Sequence, residues 1–178
     1  DGRALAVAPG EWVSIQDSRG LVDLNQPGEL LPRLLRRCGA PEDVLNKMQD
    51  SLADYVDADN LKRLNGAEAF DYRMVEMAPP RNAKLLSREE LWRVIHWPAT
   101  KAAWQSAGCN AMVTVHGDGR FNPNTAPLPL LEAYGMSAAD AAALIDSRQN
   151  GLPTLDIQRD NPSSSDPFGF RGGGFVGK

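Results

Sequence analysis

The chain has 178 residues, 42% of them hydrophobic and 24% charged, and carries a formal charge of −4 from 19 Lys and Arg against 23 Asp and Glu. That composition suits a globular protein with room for one medium domain or two small ones, and the negative balance argues against duplex nucleic acid, whose binding depends on Lys and Arg neutralising phosphates. No apolar run approaches the roughly 20 residues that span a bilayer, and no charged-then-apolar signal opens the chain, so the sequence as it stands reads as soluble.

Along the chain, "EWVSIQDSRGLVDLN" (11–25) alternates apolar and polar residues on either side of Asp17, Ser18, Arg19 and Gly20, a pattern that predicts a short hairpin. Leu30, Leu31, Leu34, Leu35 and Cys38 follow helical spacing and stop at Gly39, a residue suited to a left-handed helix end. Pro41, Glu42 and Asp43 start a second helix whose apolar side carries Val44, Leu45, Met48, Leu52, Tyr55 and Val56. A third helix is expected from Ser87 to Pro98, with Ser87 and Glu90 as a capping box and Leu86 and Leu91 as its hydrophobic staple. "AMVTVHG" (111–117) alternates and reads as a strand. Residues 124–151 read as two helices joined by a tight turn at Gly135, the second starting at Ser137 and Asp140 and ending at Gly151. From Leu152 onward Pro, Ser and Gly predict a loop and a mobile tail.

The two cysteines, Cys38 and Cys109, lack the paired spacing of a zinc site. An oxidising compartment would allow one disulfide and a reducing one would leave two small core residues; spacing does not choose between them. His96, expected in the third helix beside Trp97, and His116, in "TVHGDGR", read as a packed helical residue and a turn residue. With no nucleophile elbow, phosphate loop or zinc-protease helix in the chain, no enzymatic activity is expected.

The chemistry gathers in "DYVDADNLKRLNGAE" (54–68). Counting Asp57 as position 1 of a twelve-residue calcium loop puts Asp59 at 3, the Arg63 carbonyl at 7, Asn65 at 9 and Glu68 at 12. Leu61 at position 5 and Lys62 in place of the turn glycine depart from that pattern, so an EF-hand is not expected. What remains is a hard cation held by Asp57, Asp59 and Glu68 with backbone oxygens, set evenly against acids that cap a loop and pair with Lys62, Arg63 or Arg73. Acid–base chemistry by paired carboxylates, as in glycosidases, has only this stretch behind it.

The order of motifs adds a resemblance. "IQDSRGLVDLN", "LADYVDADN", "LNGAEAFDY", "RNAKLLSREELWRV" and "FNPNTAPLPLLEAYGMS" follow one another from about Ile15 to Gly151, as in the type II secretion minor pseudopilin known as general secretion pathway protein K. Tyr55 stands where that family usually has tryptophan. The family begins with a hydrophobic anchoring helix, absent from this chain, and continues past the helical region into further strands of a pilin-like sheet, where this sequence has "PFGFRGGGFVGK"; the chain is therefore expected to be a truncated soluble fragment or a shortened relative.

The resemblance implies an α+β protein: a mostly helical inserted domain with SAM-like, helix-hairpin-helix-like helices and a small pilin-like β part. Residues 1–29 would be the N-terminal β segment of the pilin-like body, 30–151 the inserted domain (30–110 its first helical part, 111–151 the strand and helix pair), and 152–178 the loop and tail. It further implies a non-enzymatic periplasmic subunit of an inner-membrane-anchored protein in a Gram-negative bacterium, placed at the tip of the pseudopilus with other minor pseudopilins. Bound calcium is implied too, with Asp57, Asp59 and Glu68 as ligands and Asp54, Asn65 and Asp71 as further candidates. "FNPNTAP" reads as turn closure and capping by Asn122, Asn124 and Thr125 ahead of Pro127. The competing view, a DNA-binding helix-hairpin-helix over 124–151, has a turn with one glycine and no nearby lysine, and it conflicts with the net charge.

Overall fold

A computed structural model describes residues 4–151; the loop and tail expected from Leu152 lie outside the described residues. Strand β1 (Ala4–Ala8) pairs antiparallel with β2 (Glu11–Ser14), Leu5 opposite Val13 and Ala6 opposite Trp12. The turn between them needs Gly10, whose φ is +80°. All nine strand residues are exposed, large apolar ones included.

The hairpin expected across 11–25 does not form. Residues 18–20 make a 3-10 turn capped by the Asp17 carboxylate, which accepts the Arg19 N–H, and β3 (Val22–Asp23) instead runs parallel to β4 (Val113–Thr114). The reason is tertiary: a Cβ on Gly20 would lie 2.4 Å from the Thr125 carbonyl oxygen, and Gln16 donates to that same carbonyl at 2.7 Å. The turn is thus plugged into the 122–126 segment, and β3 is carried away from the strand before it. Alternation marks a segment as extended without naming its partner.

Helix α1 (Leu30–Arg37) buries Leu31, Leu34 and Leu35. It ends where Gly39, at φ +80°, allows the Ala40 N–H to reach back to the Leu35 carbonyl. A 3-10 turn over Glu42–Val44 leads into α2 (Leu45–Val56), whose buried side carries Leu45, Met48, Leu52 and Tyr55. After the loop from Asp57 come α3 (Ala69–Met74) and α4 (Lys101–Ser106). Then α5 (Leu128–Ala133) and α6 (Ala138–Gln149) turn about Gly135, at φ +98°, and the Ser137 hydroxyl caps the Asp140 N–H as expected. Helices dominate, two small sheets complete an α+β architecture, and no helix among the described residues is long and apolar enough to cross a membrane.

The helix expected over 87–98 is shortened to a 3-10 segment, Arg88–Arg93, and the Ser87 side chain caps nothing. Glu90 instead accepts the Leu86 N–H at 2.7 Å and pairs with Arg81. Leu86 is exposed, so no staple forms, and its neighbour Leu85 is buried in its place. His96 is not helical: at φ +72° it is a turn residue. Burial of the next side chain outranks local helix propensity, since Trp97 is wholly buried, donates its indole N–H to the Met48 carbonyl at 2.9 Å and meets Trp104 edge-on at 5.6 Å. The Ile95 N–H turns to the Tyr72 hydroxyl at 3.0 Å.

One apolar cluster runs from Val22 and Leu24 through α1, α2 and the tryptophans to Leu144. Within it Cys38 and Cys109 form a buried disulfide, Cα atoms 6.1 Å apart, which ties the end of α1 to the 3-10 turn before β4. Closing a loop of 71 residues stabilises by about 4 kcal/mol in the chain-entropy treatment. Replacing both cysteines by alanine is expected to lower the unfolding free energy in urea by about 2–4 kcal/mol; a loss near zero would show that the crosslink is not formed or constrains little.

Candidate metal centre

The centre is built on the ends of two helices and the loop between them. Asp50 and Asp54, four residues apart on α2, face the loop together. Asp54 is fully buried: its carboxylate accepts the Arg63 N–H at 3.2 Å and lies 3.4 Å from the Arg63 Nε. A Cβ on Gly66 would fall 1.9 Å from Asp54 Oδ2, so this position must be glycine for the loop to close over the acid. Asp50 accepts both the backbone and the side-chain N–H of Asn65 at 3.0 Å. Asp54 and Asn65 therefore organise the loop.

Asp57 is the C-terminal cap of α2 and Glu68 the N-terminal cap of α3, while Asp59 stands on the loop and its Oδ1 accepts the Leu61 N–H at 2.7 Å. One carboxylate oxygen from each of these three residues lies within 4.8 Å of the others, so the spacing of 57, 59 and 68 is realised in space. Asp71 is turned elsewhere: it accepts the Glu68 N–H at 2.9 Å and pairs with Lys62 at 2.6 Å. Arg63 reaches Asp57 Oδ2 at 3.4 Å. Capping, pairing and cation-ligating geometry, alternatives in the sequence, thus overlap: Asp57 and Glu68 sit at helix ends and Asp57 also meets Arg63, while Asp71 serves the cap and Lys62 alone. Two polar residues were not legible there. Asp50 carried a signal, its helical spacing to Asp54; Asn82, whose side chain reaches the Asp59 carbonyl, carried none.

Three oxygens are left over. Asp57 Oδ1 and both carboxylate oxygens of Glu68 are buried, and beyond the loose capping approach of backbone N–H groups in the first turn of α3 they have no hydrogen-bond partner, an arrangement that costs free energy unless a ligand supplies the missing interaction. Burial, followed by the nearby Asp54, Asp57 and Asp59 carboxylates, raises the Glu68 pKa above its ordinary range. Burial also raises Asp54, against the pull of Arg63, whereas hydrogen bonding to Lys62 lowers Asp71. Orphaned carboxylate oxygens in an all-oxygen set fit a hard cation such as calcium or magnesium, and lack the nitrogen and sulfur ligands of a zinc site.

Because folding raises the Glu68 pKa, the folded state binds that proton more tightly than the unfolded chain. The charged side chain therefore costs stability above the usual value of 4.5, and the cost disappears as pH falls below it. In chelator, Glu68→Gln is expected to be more stable than the parent at pH 7, the difference closing as the pH is brought to about 4. Urea titrations of both proteins across that range check it, and a parent more stable than the variant at pH 7 would contradict it.

A family model described as type II secretion system protein K matches residues 16–103. The matched stretch contains the whole acidic loop and Asn82. Comparison with curated proteins gives no match. Through residues 16–103, the chain belongs to the type II secretion system protein K family.

Proposed function

We propose that the protein is a minor pseudopilin at the tip of the type II secretion pseudopilus, a structural subunit rather than an enzyme, whose helical domain is clamped by calcium and which assists protein export across the outer membrane. The observation that carries this reading is the coincidence of the family match with the orphaned carboxylate cluster inside it. Asp57, Asp59 and Glu68 would hold the ion; bound there, it supplies the positive charge that joins the end of α2 to the start of α3. The oxygens of Asp54 and Asp71 already have protein partners, which leaves them to shape the loop, whereas Asn65 engages Asp50 through its Nδ2 and its Oδ1 stays a candidate ligand.

A periplasmic setting is supported by the Cys38–Cys109 disulfide, since such bonds persist in oxidising compartments. The exposed β1–β2 hairpin, with Leu5, Val7, Trp12 and Val13 on its surface, suits a piece of a pilin-like body that meets other elements and neighbouring minor pseudopilins. The α1–α6 portion is the inserted domain of this reading, with α5 and α6 as its helix-hairpin-helix-like pair. Attachment to the inner membrane would come from a hydrophobic helix ahead of the sequence given. Nucleic acid has no place in this assignment. The charge is −4, and Arg33, a cation beside the α5–α6 turn, donates to the Tyr134 carbonyl at 2.6 Å.

Calcium at a hundred times its dissociation constant adds about 2.7 kcal/mol to the folded state. The melting temperature in millimolar calcium is expected to exceed that in chelator by several degrees, and Asp59→Ala is expected to lose the difference. Superimposable melting curves would remove calcium from the assignment.

A subunit with a bulky domain over one of its two filament contacts can only end a heterologous series. Gold labelling of the full-length protein on isolated pseudopili is expected to mark one end, and label repeated along the shaft would exclude a tip position.

A further inference from the structure

Two of the three carboxylates at the candidate centre are placed by helix ends, Asp57 by α2 and Glu68 by α3. The third, Asp59, is exposed and lies in a stretch without regular secondary structure. Beyond the local turn in which its Oδ1 accepts the Leu61 N–H, its main chain is held from 23 residues further along: Asn82 donates its side-chain N–H to the Asp59 carbonyl at 2.6 Å and to Asn60 Oδ1 at 3.0 Å. A main-chain carbonyl only accepts, so the amide must present its nitrogen to it.

Asn82 makes this contact at a cost. Its φ is +49°, in the left-handed region that non-glycine residues seldom occupy, and its own Oδ1 is buried without a partner. The segment behind it is anchored, since Arg81 pairs with Glu90 and the backbone of Leu85 exchanges hydrogen bonds with the Asn25 side chain at 2.8 and 3.1 Å. Asn82 therefore reaches the loop from a fixed base.

We propose that Asn82 is a positioning residue for cation binding, holding the Asp59–Asn60 main chain so that the Asp59 carboxylate is preorganised against Asp57 and Glu68. This rests on reading those three acids as a calcium site. Without the amide, Asp59 would keep only its own turn to the Leu61 N–H, more of its ordering would fall to the binding step, and affinity would drop by the entropy of that ordering. By linkage, calcium in turn strengthens the hold of the loop on the 81–85 segment.

Asn82→Gly separates the amide from the backbone, because glycine accepts φ +49° without strain. Calcium titration by calorimetry, with Glu68→Gln as the non-binding control, is expected to show affinity in Asn82→Gly about 10- to 100-fold weaker than in the parent. Its melting temperature in chelator is expected to stay within about 2 °C of the parent. Calcium affinity within twofold of the parent would overturn the positioning role and leave the calcium site standing. A chelator-state melting temperature that falls as far as the calcium-state one would assign Asn82 to the fold alone and also overturn it. A parent that binds no calcium would overturn both.

Discussion

Three carboxylate oxygens held within 4.8 Å of one another are the constraint around which the region between α2 and α3 is arranged. Like charges at that distance repel, and burial of Glu68 removes the water that would screen them. The surrounding chain answers with basic groups and donors set one step back. Arg63 lies between Asp54 and Asp57, Lys62 neutralises Asp71, and backbone N–H groups serve Asp54 and Asp71. These contacts occupy the outer acids and leave Asp57 Oδ1 and the Glu68 carboxylate unanswered. The centre is thus polarised by design of its neighbours: the acids that shape the loop are satisfied, and those that face inward are not.

Such a centre holds its geometry only if the helix ends cannot drift. Helix α2 is locked by Met48, Leu52 and Tyr55 in the core and by the indole of Trp97 on the Met48 carbonyl. Helix α3 is locked through Tyr72, buried and bonded to the Ile95 N–H. Burial lifts the Tyr72 hydroxyl well above the usual range, so it remains a neutral donor and acceptor there. Further off, Asn25 ties β3 to Leu85 and Val115, and the disulfide ties α1 to the entry of β4. Arg148 on α6 donates to the carbonyls of Pro123 and Ala126 and so clasps the same 122–126 segment into which Gly20 is plugged. The first and last thirds of the described chain are thereby joined around the helices that carry the acids.

The sequence by itself determined the elements whose causes are local. Helices α1 and α2 were legible because apolar residues at 30–38 and 44–56 repeat at helical spacing, with Gly39 ending the first, and α6 because Ser137, Asp140 and Gly151 punctuate it. The triad Asp57, Asp59 and Glu68 was legible from oxygen spacing along a short loop, where few conformations bring the ends of two helices together. Tertiary structure alone decided the rest. It sent β3 to β4 instead of back on β2, because strand pairing depends on which backbone is nearby. It broke the expected helix at His96, because burying Trp97 against Met48 and Trp104 outweighs a capping box. It joined Cys38 to Cys109 across 71 residues, and it decided which oxygens in a run of similar acids are taken up by caps and ion pairs and which are left facing one another. Asn82 shows the limit most plainly: nothing local distinguishes it from any other loop asparagine, and its role exists only because the fold carries it to the carbonyl of Asp59.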